Sequence, residues 1–344
     1  MADSTHAGPS LVRPLAVGVV GLGVGEQHVI SYGKIPGVEV KAICDIDPEQ
    51  LKAVGDRRGI GNRSTDYRVV TEDPDIEAVS ICSYDDRHAE QSISALTHGK
   101  HVFVEKPIVL FRAEEERLLR AQQDSGRFIS SNLILRTSPR FVEIKRLVEA
   151  GEFGEIFYME GDYLHEILWK ITAGWRGRMS YYSTVFGGGI HLVDLMRWLI
   201  GEEVTEVCGM GSKILTRATD YKFDDTFVHV LRFAGGSLGK TVSTLGPKRT
   251  KFHALNVYGT KMSFINDRPH GKMFRGDRPE DESPVTASYP EGNKGDLLPD
   301  FIGAIRGGRE PMVSTRDVFR VMDICFAMMD SVAERRTVPV SYLI

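Results

Sequence analysis

The sequence predicts an α/β protein of two domains, a parallel doubly wound sheet followed by an α+β domain with a large, mostly antiparallel, open-faced sheet. Up to about residue 130, apolar strand-like runs alternate with helical patterns, which is typical of parallel sheets with crossover helices. Beyond about residue 132, the later strand-like runs follow one another without such helices, which favours an antiparallel or mixed sheet. The 344 residues are enough for both domains, which we place at 12–130 and 131–344.

In the first half, apolar runs alternate with helical patterns that have recognisable ends. Strands are predicted at 15–20, 38–44, 78–82, 101–104 and 128–130. Helices are predicted at about 27–34, from residue 48 onward, at 88–98 and at 113–125. Pro48 fits the first position of a helix, where its missing N–H is not needed. Gly99 and Gly126 fit positions just past a helix end.

The second half has longer strand-like runs, at 156–165, 204–214, 226–233, 237–244 and 254–265. Ala234-Gly235-Gly236 forms a hairpin-type turn between two of them. A last helix is predicted at 318–334 from apolar residues at helical spacing. An open sheet face would expose apolar area, so we expect a homodimer or homotetramer.

The charge balance argues against nucleic acid as a partner. The formal net charge is −4, from 43 basic and 47 acidic residues, so there is no overall positive field. The densest basic cluster is Lys248-Arg249-Thr250-Lys251. We interpret it as a solvated loop, with a phosphate contact for a charged substrate as the alternative.

The cysteines and the lengths of the apolar runs indicate the cellular compartment. The four cysteines, at 44, 82, 208 and 325, lack metal-ligand spacing, so no metal is expected. Cys44 and Cys82 lie in apolar runs typical of buried strands, which fits a reducing compartment. The first ten residues lack a signal-peptide pattern, and no apolar run approaches the ~18 residues of a membrane span. We expect a cytoplasmic protein with no membrane partner.

A glycine-rich turn joins the first strand to the first helix. Gly21, Gly23 and Gly25 lie there, where glycines allow a tight turn and a close approach of the backbone to a pyrophosphate. Asp45 ends the second strand, 22 residues after Gly23, where a carboxylate can accept hydrogen bonds from the adenosine ribose hydroxyls. Because that carboxylate would repel a 2′-phosphate, the pattern predicts NAD, with NADP as the weaker alternative.

Two details of this turn leave alternatives open. Asp45 or its neighbour Asp47 fits helix capping as well as cofactor binding. The usual third glycine or alanine of the turn is replaced by Glu26. The turn is then one residue shorter, and Gly25 makes the close packing instead.

Two further motifs resemble a known family. They are the run His101–Pro107, with its Glu-Lys-Pro end, and the run Gly189–Asp194. Together with the glycine turn they resemble the glucose–fructose oxidoreductase, inositol dehydrogenase and MocA (Gfo/Idh/MocA) oxidoreductase family over nearly the whole chain. The resemblance implies a Rossmann-type NAD-binding domain, a substrate-binding α+β domain and dehydrogenase activity.

Lys106 is the first candidate catalytic residue. It follows the carboxyl end of a parallel strand, where ligands of such sheets bind, and a cation there can bind a substrate hydroxyl and stabilise a developing alkoxide. The alternative is an ordinary surface lysine. The resemblance implies a cis peptide before Pro107, a contact from Glu105 to the nicotinamide ribose, and a place for Ser83 in the cofactor cleft. We also assign Lys106 and Pro107 to cofactor binding.

His191 is the second candidate, because an imidazole can take a proton from a carbinol oxygen. In the family an aspartate usually lies four residues earlier, and here that residue is Gly187. Tyr181 or Tyr182 is a candidate for the missing polar group. Asp194 is expected either to bind a substrate hydroxyl or to pair within the fold.

Polar and aromatic residues cluster in the middle of the chain, at Asp162, Tyr163, His165, Lys170, Trp175 and Arg176. The resemblance implies that this region contacts a sugar, whose apolar face suits an aromatic ring. We assign Tyr163, Trp175 and Arg176 to substrate binding, with core packing as the alternative for Trp175. His88 is assigned to the start of a helix rather than to chemistry.

The expected function is NAD(H)-dependent oxidation of a secondary hydroxyl on a sugar, sugar nucleotide or cyclitol. One alternative is reduction of another carbonyl or imine substrate with the same cofactor. A second alternative is an NAD-binding sensor or scaffold of the same fold with reduced catalysis, which Gly187 in place of the aspartate would favour.

Overall fold

The computed structural model describes residues 13–289 and 292–344. Its first sheet has six strands in the order β3-β2-β1-β4-β5-β6, and every pairing in it is parallel. The strands are β1 (Leu15–Val20), β2 (Val38–Cys44), β3 (Arg63–Ser64), β4 (Ala78–Ile81), β5 (His101–Val104) and β6 (Ile129–Ser131). The doubly wound α/β prediction is confirmed.

Helices connect these strands. They are α1 (Leu22–Tyr32), α2 (Pro48–Arg58), α3 (Arg68–Thr71), α4 (His88–Thr97) and α5 (Arg112–Ser125). Asp47 caps α2, because its carboxylate accepts hydrogen bonds from the amides of Glu49 and Gln50. The helix α1 begins at residue 22, earlier than predicted, since the glycine turn itself is helical from its second residue onward. The short elements β3 and α3 were not predicted.

The second sheet has nine strands in the order β14-β13-β12-β11-β7-β10-β9-β8-β15. They are β7 (Ile156–Leu164), β8 (Val204–Ser212), β9 (Thr226–Phe233), β10 (Leu238–Thr244), β11 (Phe252–Gly259), β12 (Ser263–Ile265), β13 (Gly271–Phe274), β14 (Glu282–Val285) and β15 (Val338–Pro339). Among the described strands of this sheet, only β10 and β7 pair in parallel. The single strand predicted at 254–265 is wrong, because the Gly259 amide donates to the Met262 carbonyl and divides it into β11 and β12.

Two helices, Ile190–Ile200 and Thr315–Glu334, cover one face of the second sheet. The remaining helices are α6 (Pro139–Glu149), α7 (Trp169–Thr172), α8 (Ile190–Ile200), α9 (Leu298–Gly307) and α10 (Thr315–Glu334). Leu192 and Met196 of α8 pack against Gly161 of β7. The opposite face exposes apolar side chains, including Met210, Val228 and Val230. The predicted open-faced sheet is therefore present.

The carboxyl ends of the parallel strands share one edge of the first sheet, which is where ligands of such sheets bind. The chain leaves β1 at Gly21, β2 at Asp45, β4 at Cys82 and β5 at Glu105. A π-helical turn, Val185–Gly189, leads into α8 and approaches this edge from the second sheet. Within the described ranges, no helix is long and apolar enough to cross a membrane.

Candidate active site

A cavity of about 880 Å³ lies at this edge, between the two sheets. Most of the residues singled out in the sequence line it, and they come from both halves of the chain: Gly21, Gly23, Asp45, Ser83, Glu105, Lys106, Tyr163, Trp175, Arg176 and His191. Gly25, Pro107 and Asp194 do not line it. The two candidate catalytic residues, Lys106 and His191, therefore meet in one cavity.

Each glycine of the turn has a different structural role. Gly21 has φ +84°, and a Cβ there would come within 2.5 Å of the Ser83 amide nitrogen, so only glycine fits. Gly23 lines the cavity, and a Cβ there would meet nothing within 4 Å. This open space lies beside the first turn of α1, and the free amides of a helix N-terminus can bind a pyrophosphate.

Gly25 packs α1 against the sheet and does not line the cavity. A Cβ at this position would lie 2.9 Å from Val19 Cγ1 and 3.3 Å from Cys82 Cβ. This close packing fits the alternative of a shortened turn, and the assignment of Gly25 to cofactor binding stays a prediction. Glu26 instead pairs with Arg57 and Arg58 of α2.

Asp45 combines a structural contact with a position at the cavity edge. Its carboxylate accepts hydrogen bonds from the amide of Leu22, at 2.6 Å, and from the amide of Asp47, at 2.9 Å. It thereby holds the start of α1 against the end of β2. Because a carboxylate has about four lone-pair positions, it retains acceptor capacity toward ribose hydroxyls in the cavity.

His88 connects the loops that follow β4 and β5. Its Nδ1 donates to the Pro107 carbonyl at 2.6 Å, and its Nε2 lies 3.2 Å from the Ser83 carbonyl. The cis peptide between Lys106 and Pro107 is present, as the resemblance implied. Pro107 does not line the cavity, and its assignment as a cofactor contact stays a prediction. His88 starts α4, as expected.

Glu105 is a buried carboxylate at the cavity wall. It accepts a hydrogen bond from Asn132 Nδ2 at 2.6 Å and lies 3.6 Å from His28 Nε2 and 3.8 Å from Lys294 Nζ. Burial alone would raise the pKa of Glu105, but the nearby Lys294 and His28 hold that pKa below its usual range. The side chain is therefore a fixed anion beside Lys106.

Lys106 reaches across the cavity to the segment that carries His191. Its Nζ donates to the Gly187 carbonyl at 2.7 Å, and the residue is 8% exposed. Burial, and next the charges of Lys294 and Arg176, lower the pKa of Lys106 to about 7. An ammonium makes three hydrogen bonds, so two of its protons remain for ligands.

His191 is buried and incompletely bonded. No described residue makes a hydrogen bond to its Nδ1, and its ring stands edge-on to His253 at a centroid distance of 5.9 Å. Burial, and next the charge of Lys106, lower the pKa of His191 well below its usual value. The imidazole is therefore neutral near pH 7 and able to accept a proton.

Tyr182 occupies the space of the missing aspartate side chain. A Cβ built at Gly187 would overlap the Tyr182 hydroxyl, and Tyr182 lines the cavity. Tyr221 fixes this segment, because its hydroxyl donates to the Tyr182 carbonyl at 3.0 Å. Tyr181 instead packs against Phe223 and does not line the cavity. The sequence left both tyrosines open, and the structure distinguishes them.

Trp175 and Arg176 form part of the cavity wall. Trp175 packs on Tyr84 with a centroid distance of 4.6 Å, and the guanidinium of Arg176 lies 4.1 Å from the Trp175 ring centroid. Arg176 pairs with Asp85 at 3.2 Å, so this wall joins the two halves of the chain. Tyr163 lines the same part of the cavity, with its hydroxyl 3.1 Å from His165 Nδ1.

Asp194 lies outside the cavity and is fully buried. Arg136 donates to both of its carboxylate oxygens, at 3.0 and 2.5 Å, and also pairs with Asp317. The assignment of Asp194 to substrate binding is therefore corrected, and pairing within the fold is the alternative that the structure supports. The i+3 position relative to His191 was too coarse a signal to distinguish the two.

The sequence did not reveal several residues that line the cavity. They include Tyr84, Asp85, His253 and Lys294, whereas Lys251 belongs to the basic cluster for which a phosphate contact was the alternative. Lys294 lies in the segment before α9, far along the chain from the glycine turn, and only tertiary packing brings it to Glu105. Asp85 had a local signal, since it follows β4 at the ligand-binding edge. Across the described residues, no group of three or more His, Cys, Asp or Glu side chains forms a candidate metal site.

Comparisons with known proteins agree with this architecture. The family model described as "Oxidoreductase family, NAD-binding Rossmann fold" matches residues 15–133, and that described as "GFO/IDH/MocA C-terminal domain" matches residues 141–265. Together they cover most of the chain.

Individual relatives extend the match. "Uncharacterized oxidoreductase YrbE" of Bacillus subtilis is 31% identical, over 75% of this chain and 76% of that protein. "Myo-inositol 2-dehydrogenase" of Thermotoga maritima is 26% identical, over 96% of this chain and all of that protein. A structure of levoglucosan dehydrogenase in complex with NADH is 25% identical, with a TM-score of 0.86 over 96% of this chain and all of that chain. The chain belongs to the NAD-binding Gfo/Idh/MocA oxidoreductase family.

Proposed function

We propose that this chain is an NAD(H)-dependent dehydrogenase that oxidises a secondary hydroxyl of a sugar, sugar nucleotide or cyclitol. The observation that carries the proposal is the meeting of Lys106 and His191 in one cavity with the open glycine turn. Asp45 at the cavity edge favours NAD over NADP. The relatives named for inositol and levoglucosan support a polyhydroxylated substrate.

In this proposal, bound NAD+ supplies the hydride acceptor. Burial lowers the pKa of His191 and so keeps the imidazole in its neutral form, which accepts the proton of the substrate hydroxyl. The ammonium of Lys106 donates a hydrogen bond to the same oxygen and stabilises the negative charge that develops on it. The Gly187 carbonyl orients that ammonium from behind, and Glu105 lies beside it at the cavity wall.

Tyr182 completes the polar set in place of the carboxylate usual in the family. Its hydroxyl stands where a side chain at position 187 would project, close to the carbonyl that holds Lys106. Burial raises the pKa of Tyr182, so the phenol stays protonated and donates a hydrogen bond to a substrate oxygen. Lys106, His191 and Tyr182 together supply the polar groups that hydride transfer requires, which favours an enzyme over a sensor.

The proposal is tested by following NADH absorbance with a panel of inositols, aldoses and sugar nucleotides. Replacing Lys106 by alanine is expected to lower kcat by about 100-fold or more, while titration of NADH fluorescence still shows cofactor binding. A Lys106→Ala enzyme with normal turnover would refute the catalytic role. Tight NADH binding without turnover of any substrate would instead support the sensor.

Assembly and location remain predictions under this function. The open face of the second sheet brings Met210, Val228 and Val242 into neighbouring positions on three strands, and we propose that a second copy covers it. Val228→Lys is expected to shift the mass in light scattering from a dimer or tetramer to a monomer. A wild-type monomer would contradict this. The buried free thiols Cys44, Cys82 and Cys325 fit the expected cytoplasmic location.

A further inference from the structure

Cationic side chains collect at the end of the cavity that contains His191. These side chains come from separate parts of the chain. They are Lys106, Lys170, Arg176, Lys251 and Lys294. The described acidic residues that line the same end are Asp85 and Glu105. The opposite end, around the glycine turn, is lined by the acidic residues Asp45, Asp47, Asp86 and Glu90, together with Arg87, which pairs with Glu90 at 3.6 Å. The cavity is therefore electrically polarised along its length.

The acidic groups at the cationic end already have partners. Asp85 pairs with Arg176 at 3.2 Å. Glu105 accepts from Asn132 and lies 3.8 Å from Lys294. Lys170 makes no ion pair with another described residue. Its Nζ lies over the Trp169 ring, 5.8 Å from the centroid. These contacts leave an excess of positive charge among the described residues of this end.

The cations also destabilise one another. Burial lowers the pKa of Lys170, and the charges of Arg176, Lys294 and Lys251 lower it further. Lys294 has the same effect on the pKa of Lys106. Like charges held together in a partly dehydrated cavity repel strongly, because little water screens them. An anion that enters this end relieves the repulsion.

The cofactor does not supply that anion. Its pyrophosphate belongs beside Gly23 at the first turn of α1, where the structure leaves open space. The oxidised nicotinamide ring, which lies toward Lys106 in the proposed function, is itself positively charged. The other molecule that binds in the cavity is the substrate. The negative charge that balances the cationic end must therefore come from the substrate.

We propose that the substrate is a polyhydroxy compound with an anionic group, a carboxylate or a phosphate, and that Lys170 and Lys294 bind this group. The inference rests on the proposed function and deepens it by naming the substrate class. The reacting hydroxyl lies at Lys106 and His191, and the anionic group lies toward α7. The Trp175 ring at the cavity wall packs beside the carbon skeleton.

Matched ligands test this directly. Glucose and glucitol are compared with glucuronate, gluconate and glucose 6-phosphate, which separates carboxylate from phosphate recognition. For each ligand, NAD+ reduction gives kcat/KM, and quenching of enzyme-bound NADH fluorescence gives Kd. For at least one anionic ligand, kcat/KM is expected to be about tenfold higher, and Kd about tenfold lower, than for its neutral counterpart. This difference corresponds to one charge-assisted contact.

Lysine variants locate the effect. Lys170→Gln, and independently Lys294→Gln, are expected to reduce the anionic-to-neutral ratio toward one. Lys34→Gln, at an exposed position near the end of α1, is the matched control and keeps the wild-type ratio. Using two variants guards against one that does not fold.

The two measurements separate this inference from the proposed function. If no ligand is oxidised but anionic ligands still bind the NADH complex more tightly, the dehydrogenase function fails and the anion site stands. If neutral ligands are oxidised and bound as well as anionic ones, the anion site fails and the dehydrogenase stands. If no ligand binds or reacts, or if Lys170→Gln weakens both ligand classes alike, the anion site is overturned.

Discussion

The Tyr182 hydroxyl stands in the space that a side chain at Gly187 would need. Tyr182→Phe removes only that hydroxyl and is expected to lower kcat/KM by about three- to tenfold, the value of one hydrogen bond. Tyr181→Phe is the control, because Tyr181 packs outside the cavity. Steady-state kinetics and a thermal melt check the prediction. Equal effects of the two substitutions would contradict it.

Because a side chain at position 187 would overlap Tyr182, we predict that Gly187 cannot be replaced by the family's aspartate unless Tyr182 is also made smaller. Gly187→Asp is expected to abolish activity and lower Tm, because the new side chain meets the Tyr182 ring. Tyr182→Ser in the same chain makes room, so the double variant is expected to recover part of both. A double-mutant cycle with Tm and kcat/KM measures this coupling. Additive losses would show that the two positions are independent.

The low pKa of Lys106 predicts a decline in activity at higher pH. Because burial and neighbouring cations lower its pKa to about 7, the ammonium is present below that pH and lost above it. The value of kcat/KM, which reports the free enzyme, is therefore expected to fall above about pH 7. In Lys294→Gln one repelling charge is gone, so the fall moves to higher pH. An unchanged profile in Lys294→Gln would contradict this explanation, and Lys34→Gln is the control.

Asp45 is expected to set the preference for NAD over NADP. Asp45→Asn removes the negative charge but keeps an oxygen for the Leu22 amide. The ratio of kcat/KM for NAD+ to that for NADP+ is expected to fall about tenfold or more, because a 2′-phosphate is no longer repelled. Glu39→Gln, at an exposed position on the same strand, should leave the ratio unchanged. A ratio unaffected by Asp45→Asn would assign Asp45 to a purely structural role.

Asp194 is expected to affect stability rather than substrate binding. Asp194→Ala leaves Arg136 buried with only Asp317 as its charged partner. The free energy of unfolding is expected to fall by about 3–5 kcal/mol, as in other broken buried ion pairs. Urea unfolding measures this loss, and KM of the folded variant should match wild type. Wild-type stability with a raised KM would restore the substrate role.

The sequence was sufficient for the features that depend on local pattern. The strand–helix alternation and the glycine turn predicted the parallel sheet, because each strand and each crossover helix carries its own periodicity. The division between β11 and β12 was missed, since Met262 and Phe264 continue the apolar run through a tight turn. The short strand β15 was also missed, because it is formed by pairing with β8 rather than by its own composition.

The candidate site was predictable only where a motif fixed the position. Lys106 and His191 belong to such motifs. The contribution of Lys294 depends on how the segment before α9 folds back onto Glu105, which no local spacing encodes. Asp194 was considered because of its i+3 position relative to His191, but in the structure it is buried against Arg136 rather than directed into the cavity.

The third position of the glycine turn has a consequence for how such turns are recognised. Because α1 already touches β1 through Gly25, the next residue is directed outward, and a bulky acid is tolerated there. Glu26 accepts hydrogen bonds from Arg57 and Arg58 at the end of α2. This contact holds the two crossover helices, α1 and α2, together. A nucleotide-binding turn of this kind is better recognised by the residue whose backbone packs against the first strand than by a fixed number of residues between its glycines.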